Sequence, residues 1–153
     1  MSTFYPELFM QPVTDAGFHT LAFLVGVFGA LGVGGFARWF GLDRDRAFYP
    51  TVMIVIAYLY VLFAAIGGGA ALPVEAVIGT GFAVLAAAGF KLNPWFVVVA
   101  LVGHGLFDWA HPHVIENHGV PPWWPEFCSA YDVTAGVFLA VLLLRAKGLE
   151  SRM

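Results

Sequence analysis

His104, Asp108 and His111 stand four and three residues apart in the stretch GHGLFDWAHPH. At 100° per residue, these offsets place the three side chains within about 60° of one another on a helix. The residues just before them, WFVVVALVG, are apolar. Imidazoles and carboxylates are costly at membrane depth, so they usually face a bundle interior and find a partner there. The stripe is therefore a candidate metal site, with His104 and Asp108 as its candidate catalytic residues.

The spacing limits what the stripe can do. His104 and Asp108 lie one turn apart, about 6 Å along the axis, and can share an ion as i, i+4 ligands do. Asp108 and His111 can pair in the same way. His104 and His111 are separated by about 10.5 Å of rise, so one ion held by all three requires unwinding near Pro112. A cleaner geometry takes two of the three plus ligands from elsewhere, or uses Asp108 to orient a ligating histidine from outside the coordination shell. His113 and His118 follow in an outer loop and complete the candidate ligand set by folding back. His19, at the outer end of the first span, reaches a similar depth. Nitrogen and oxygen donors suit zinc, with iron or copper as alternatives. A zinc ion with an open position lowers the pKa of its bound water to about 7, and Asp108 would orient that water or act as base. Such a site suits hydrolysis of a lipid or another membrane-partitioned substrate.

These residues need a membrane bundle to position them. Of the 153 residues, 60 % are hydrophobic and only 11 % are charged, and the mean hydropathy is +0.82. A soluble domain carries roughly 25 % charged residues, so this composition points to an integral membrane protein surrounded by lipid. No basic surface is available for nucleic acid. The seven Lys and Arg residues fall into three clusters: Arg38/Arg44/Arg46, Lys91, and Arg145/Lys147/Arg152. Basic residues stay on the cytoplasmic side of membrane proteins. With each cluster inside, the chain crosses five times, starting outside and ending in the cytoplasm. Seven acids then lie on the outer side: Glu7, Asp15, Glu75, Asp108, Glu116, Glu126 and Asp132.

The expected fold is one all-α transmembrane domain over 1–153, with spans near 18–37, 47–66, 73–90, 94–110 and 129–144 and an outer loop over 111–128. The first seventeen residues have no basic n-region and contain Glu7 and Asp15, so the first apolar segment reads as a retained span and not a cleaved signal. Its five glycines permit close helix packing and offer a face to a second copy. Small residues place the third span at the bundle centre. Pro112 is expected to close the fourth span, and Ser129 to open the fifth, with Asp132 completing a capping box. Glu75 reads as a first-turn carboxylate complementing a helix dipole. Tyr131 reads as an interfacial anchor, and Cys128, the only cysteine, as a buried inert thiol, with metal ligation the minority reading.

The stretch GHGLFDWAHPHVIENHGVPPWWPEFCSAYDV resembles a signature of small bacterial integral membrane proteins of uncharacterised function, which implies a bacterial cytoplasmic membrane but no activity. More loosely, His104, Asp108 and His111 resemble the residue vocabulary of the alkaline-ceramidase type of membrane hydrolase, which sets three histidines, an aspartate and a serine around zinc within seven spans. This chain has five expected spans and lacks a matching serine and histidine on an early one.

Three functions remain open. One is a metal-dependent membrane hydrolase. Another is a transporter or channel for a metal ion or small solute, although the inner halves of spans four and five, WFVVVALVG and AGVFLAVLLL, offer no polar path. The third is a non-catalytic membrane subunit or metal sensor.

Overall fold

The computed structural model describes residues 15–150, which form five helices. Glu7 and Arg152 lie outside the described residues, as does most of the segment read as lacking a signal. The helices are α1 (Asp15–Phe40), α2 (Phe48–Ile66), α3 (Leu72–Lys91), α4 (Trp95–Val114) and α5 (Trp124–Glu150).

Local chemistry accounts for most of the boundaries. Asp45 Oδ1 accepts the Ala47 amide at 3.1 Å just before α2. Pro50 sits in that helix's first turn, where no intrahelical donor is lost. Gly68 and Gly69 follow α2 with φ of 99° and 84°, backbone that other residues rarely adopt. Asn93 Oδ1 accepts the Trp95 amide at 3.0 Å and opens α4.

Two expected boundaries move. Pro112 does not close α4; the helix continues through it to Val114. A proline this near a C-terminus removes only one ladder bond, to the Asp108 carbonyl. α5 begins at Trp124, with Pro125 in its first turn, instead of at Ser129. Asp132 consequently lies more than two turns inside the helix, and the capping-box reading fails. The connection outside the helices shrinks to nine residues, 115–123.

α4 occupies the middle, packing on α5, α3 and α2, while α1 packs on α5 and α2 on α3. The small residues of α3 do not bring it to the centre. It buries only Glu75, Gly79, Ala86 and Gly89, because its glycines serve one face, Gly79 against Ala57 and Gly89 against Val97. The core combines Met53, Ala57, Val97, Ala100, Leu101, Ala135 and Leu139 from α2, α4 and α5.

The outside is apolar: Phe28, Val77, Leu106 and Val137 are all more than half exposed. By length and composition α1, α2, α3 and α5 can each cross a membrane, consistent with an integral membrane protein. α4 falls outside that set, and its central place explains why: the half of its buried face away from the basic end is polar. The six described Lys and Arg residues all gather at one end of the bundle, at the ends of α1, α3 and α5 and in the α1–α2 turn.

Candidate metal centre

The stripe on α4 is buried, and the structure divides it between two partners. His104 and Asp108 turn toward α5. There His104 Nδ1 lies 2.7 Å from Asp132 Oδ2 and 3.3 Å from Asp108 Oδ2. An imidazole nitrogen between two carboxylates is satisfied only by carrying the proton, so Nδ1 is the donor. One turn before Asp132, Cys128 Sγ donates to the same Oδ2 at 3.8 Å. One donor atom from each of His104, Asp108, Cys128 and Asp132 lies within 4.8 Å of the other three. All four residues are at most 2 % exposed.

Backbone proximity makes this meeting possible. A Cβ on Gly105 would stand 2.9 Å from the Ser129 carbonyl oxygen and 2.8 Å from Val133 Cγ2. Glycine there lets α4 and α5 approach directly beside the His104–Asp132 contact.

His111 turns the other way, toward α3. Its Nε2 donates to Glu75 Oε1 at 2.7 Å, and both residues are buried. Glu75 lies in the first turn of α3, as expected, and is in addition an interior hydrogen-bond acceptor. Asn117, from the outer loop, donates from Nδ2 to the same Glu75 oxygen at 2.9 Å and to the Tyr60 carbonyl at 3.1 Å. Tyr60 stacks on His111 with ring centroids 4.0 Å apart. Its hydroxyl lies beside the Asp108 carboxylate. Phe82 meets His104 edge-on, and Phe107 meets His111 in the same manner. Aromatic rings therefore surround both imidazoles.

His113 and His118 are not brought to either group. Both are exposed, and His118 lies 3.6 Å from Glu116 in the loop. His19 pairs with Glu126 at 3.0 Å near the surface. Tyr131 packs along Gly29 and Phe127 within the α1–α5 contact. The residues that sequence reasoning missed as site members are Cys128, Asp132 and Glu75. A signal was present for the first two, which sit four apart on one helical face.

The four-residue group fits a metal ion on its own chemistry. Asp108 Oδ1 and Asp132 Oδ1 are buried without a hydrogen-bond partner, and Asp108 Oδ2 has the His104 contact at 3.3 Å. Buried carboxylate oxygens are normally satisfied, and bare ones are costly unless a cation compensates them. Nitrogen, sulfur and oxygen donors together suit a borderline ion such as zinc. Comparison with known protein families, curated proteins and solved structures finds no match to this chain, so fold and site rest on their own geometry.

Proposed function

We propose that this chain is an integral membrane protein that crosses five times and holds one transition-metal ion, zinc by donor chemistry, among His104, Asp108, Cys128 and Asp132. The observation that carries the reading is the convergence of four buried donor atoms, with Asp108 Oδ1 and Asp132 Oδ1 otherwise unpartnered. The basic end of the bundle would face the cytoplasm. The site, in the other half of α4 and the first half of α5, would then face outward. Four protein donors complete a tetrahedral shell, the pattern of a closed site. A metal-holding subunit or sensor accords best with that closure. Conduction by a single chain finds no support, since toward the basic end the core is Met53, Val97, Leu101 and Leu139.

One observation favours a second reading, a hydrolase acting on a membrane-partitioned substrate. Cys128 lines an apolar cavity of about 340 Å³ between α2 and α5, together with Val55, Leu59, Trp124, Phe127 and Tyr131. Three ligands with Asp108 held outside the shell would leave a position open toward such a cavity.

Elemental analysis of detergent-purified protein tests the proposal. Close to one zinc per chain is expected, lost in Asp132→Asn and kept in His113→Ala and His118→Ala. Metal-free wild type after growth and purification in zinc would end the metal reading. Chelator-sensitive cleavage of a micelle-partitioned ester would decide for the hydrolase.

A further inference from the structure

The basic end of the bundle holds a second built feature, far from the metal group. Arg38, Arg46 and Arg145 rim a cavity of about 500 Å³ whose walls include Tyr49, Val97 and Leu139. Basic residues at a membrane interface are accounted for by orientation alone. These three differ in sharing one concave site with an apolar floor. Asp43, also in the cavity wall, lies 3.6 Å from Arg38. Neither Arg46 nor Arg145 has an ion-pair partner among the described residues, so the cavity carries an excess of positive charge.

Two further observations point to a ligand there. Tyr49 is 7 % exposed, lines the cavity, and its buried hydroxyl has no hydrogen-bond partner. A buried hydroxyl is normally satisfied, and this one can donate to an anion lodged among the arginines. Arg46 has φ of 64° and is the only non-glycine residue with positive φ among those described. Such backbone is uncommon for arginine and collects at ligand clamps.

The cavity does not end at the arginines. Arg38, Leu142 and Arg145 also line a groove of about 590 Å³ between α1 and α5, which continues past Val137 to Val133. From Arg145 to Val133 is twelve residues of helix, about 18 Å at 1.5 Å per residue. One leaflet of the hydrocarbon core is about 15 Å deep. The groove therefore has the reach of one acyl chain, starting from a cationic pocket at the interface.

We propose that this end of the molecule binds an anionic phospholipid, its phosphate held by Arg38, Arg46, Arg145 and Tyr49 and one acyl chain lying in the α1–α5 groove. Basic pockets between membrane helices take lipid head groups in this manner. The pocket supplies charge and a hydroxyl donor; the groove supplies the apolar continuation that free phosphate would not use.

The test is native mass spectrometry and thermal unfolding of the detergent-purified full chain. The additives are phosphatidylglycerol, phosphatidylcholine and inorganic phosphate, each tried separately. Phosphatidylglycerol should be retained and should raise the unfolding midpoint, with the other two doing neither. Arg46→Gln/Arg145→Gln should cut retention at least tenfold, and the single Arg145→Gln should cut it partially. Val137→Trp, which fills the groove, should also lower retention. A cooperative unfolding transition in lipid-free detergent serves as an independent check that each variant is folded. Equal retention of phosphatidylcholine would overturn the proposal, as would an equal shift with inorganic phosphate. So would wild-type retention of phosphatidylglycerol by the folded arginine variants or by Val137→Trp.

Discussion

His104 on α4 and Asp132 on α5 meet at 2.7 Å across a helix interface in which Gly105 stands against the α5 backbone. The contact is shared: the same Asp132 oxygen accepts the Cys128 thiol, and the same imidazole nitrogen faces Asp108. Four side chains of three chemical kinds thus compete for very few hydrogen bonds. This leaves carboxylate oxygens bare in the driest part of the molecule.

The metal group should behave as a unit. His104→Ala and Asp132→Asn are each expected to remove bound metal, and Cys128→Ser to weaken its retention by at least tenfold, since hydroxyl is a poor substitute for thiolate. Dialysis against a graded series of chelators, followed by elemental analysis, would measure the order of loss.

Holding a metal only in the folded state stabilises that state by mass action. Stripping the ion from the wild type should lower the thermal midpoint in detergent, and returning zinc should restore it. The Asp132→Asn variant should show no such response. A zinc-independent midpoint in the wild type would sink this expectation.

The His111–Glu75 pair is a separate element and should separate experimentally. Removing one partner of a buried, charge-assisted pair costs about 3–5 kcal/mol. Glu75→Leu should therefore destabilise the chain strongly yet leave metal bound in the molecules that remain folded. Glu75→Leu combined with His111→Phe should recover much of the loss, because the Tyr60 stack can persist on a phenyl ring. Denaturation of the two single variants and the double variant, run as a cycle, gives the coupling directly.

Gly105→Ala places a methyl group against the Ser129 carbonyl and Val133. Overpacking of this kind typically costs about 1–3 kcal/mol. Here it should also spread α4 from α5 and reduce metal content, whereas Gly81→Ala, with nothing within 4 Å, should do neither. The pair is read by unfolding midpoint and metal content together.

Asn117 ties the outer connection to α2 and α3 through two hydrogen bonds from one amide group. Asn117→Ala leaves Glu75 with one donor fewer and should cost about 1–3 kcal/mol. Faster amide exchange should appear across 115–123 and not in α1. Unchanged exchange in the connection would show that the prolines alone hold it.

Much of this was legible in the residues. The 3.6-residue period brought His104, Asp108 and His111 to one face, and the glycine, proline and asparagine punctuation placed most helix ends within a few residues. What could not be read was which helices meet. Glu75 and Asp132 were visible as acids, but each stood near an expected helix start, where a carboxylate has an ordinary local role. Moving the start of α5 from Ser129 to Trp124 carried Asp132 from a cap into the interior and Cys128 with it. The partition of the stripe, with His104 facing α5 and His111 facing α3, is a tertiary fact with no local signature. His113 and His118 illustrate the converse: residue type suggested ligands, but His113 lies on the exposed face of α4 and the connection keeps His118 at the surface.

In the proposed five-crossing arrangement, α4 is the one segment less apolar than the other four helices. During synthesis a nascent helix is sorted by its own hydropathy, and the partners that neutralise the polar half of α4 are not all present at that moment. Glu75 is already in place, but Asp132 and Cys128 emerge only with α5. In the proposed arrangement, retention of α4 in the bilayer and completion of the metal group would therefore both wait for α5, and a chain released before α5 would lose both together.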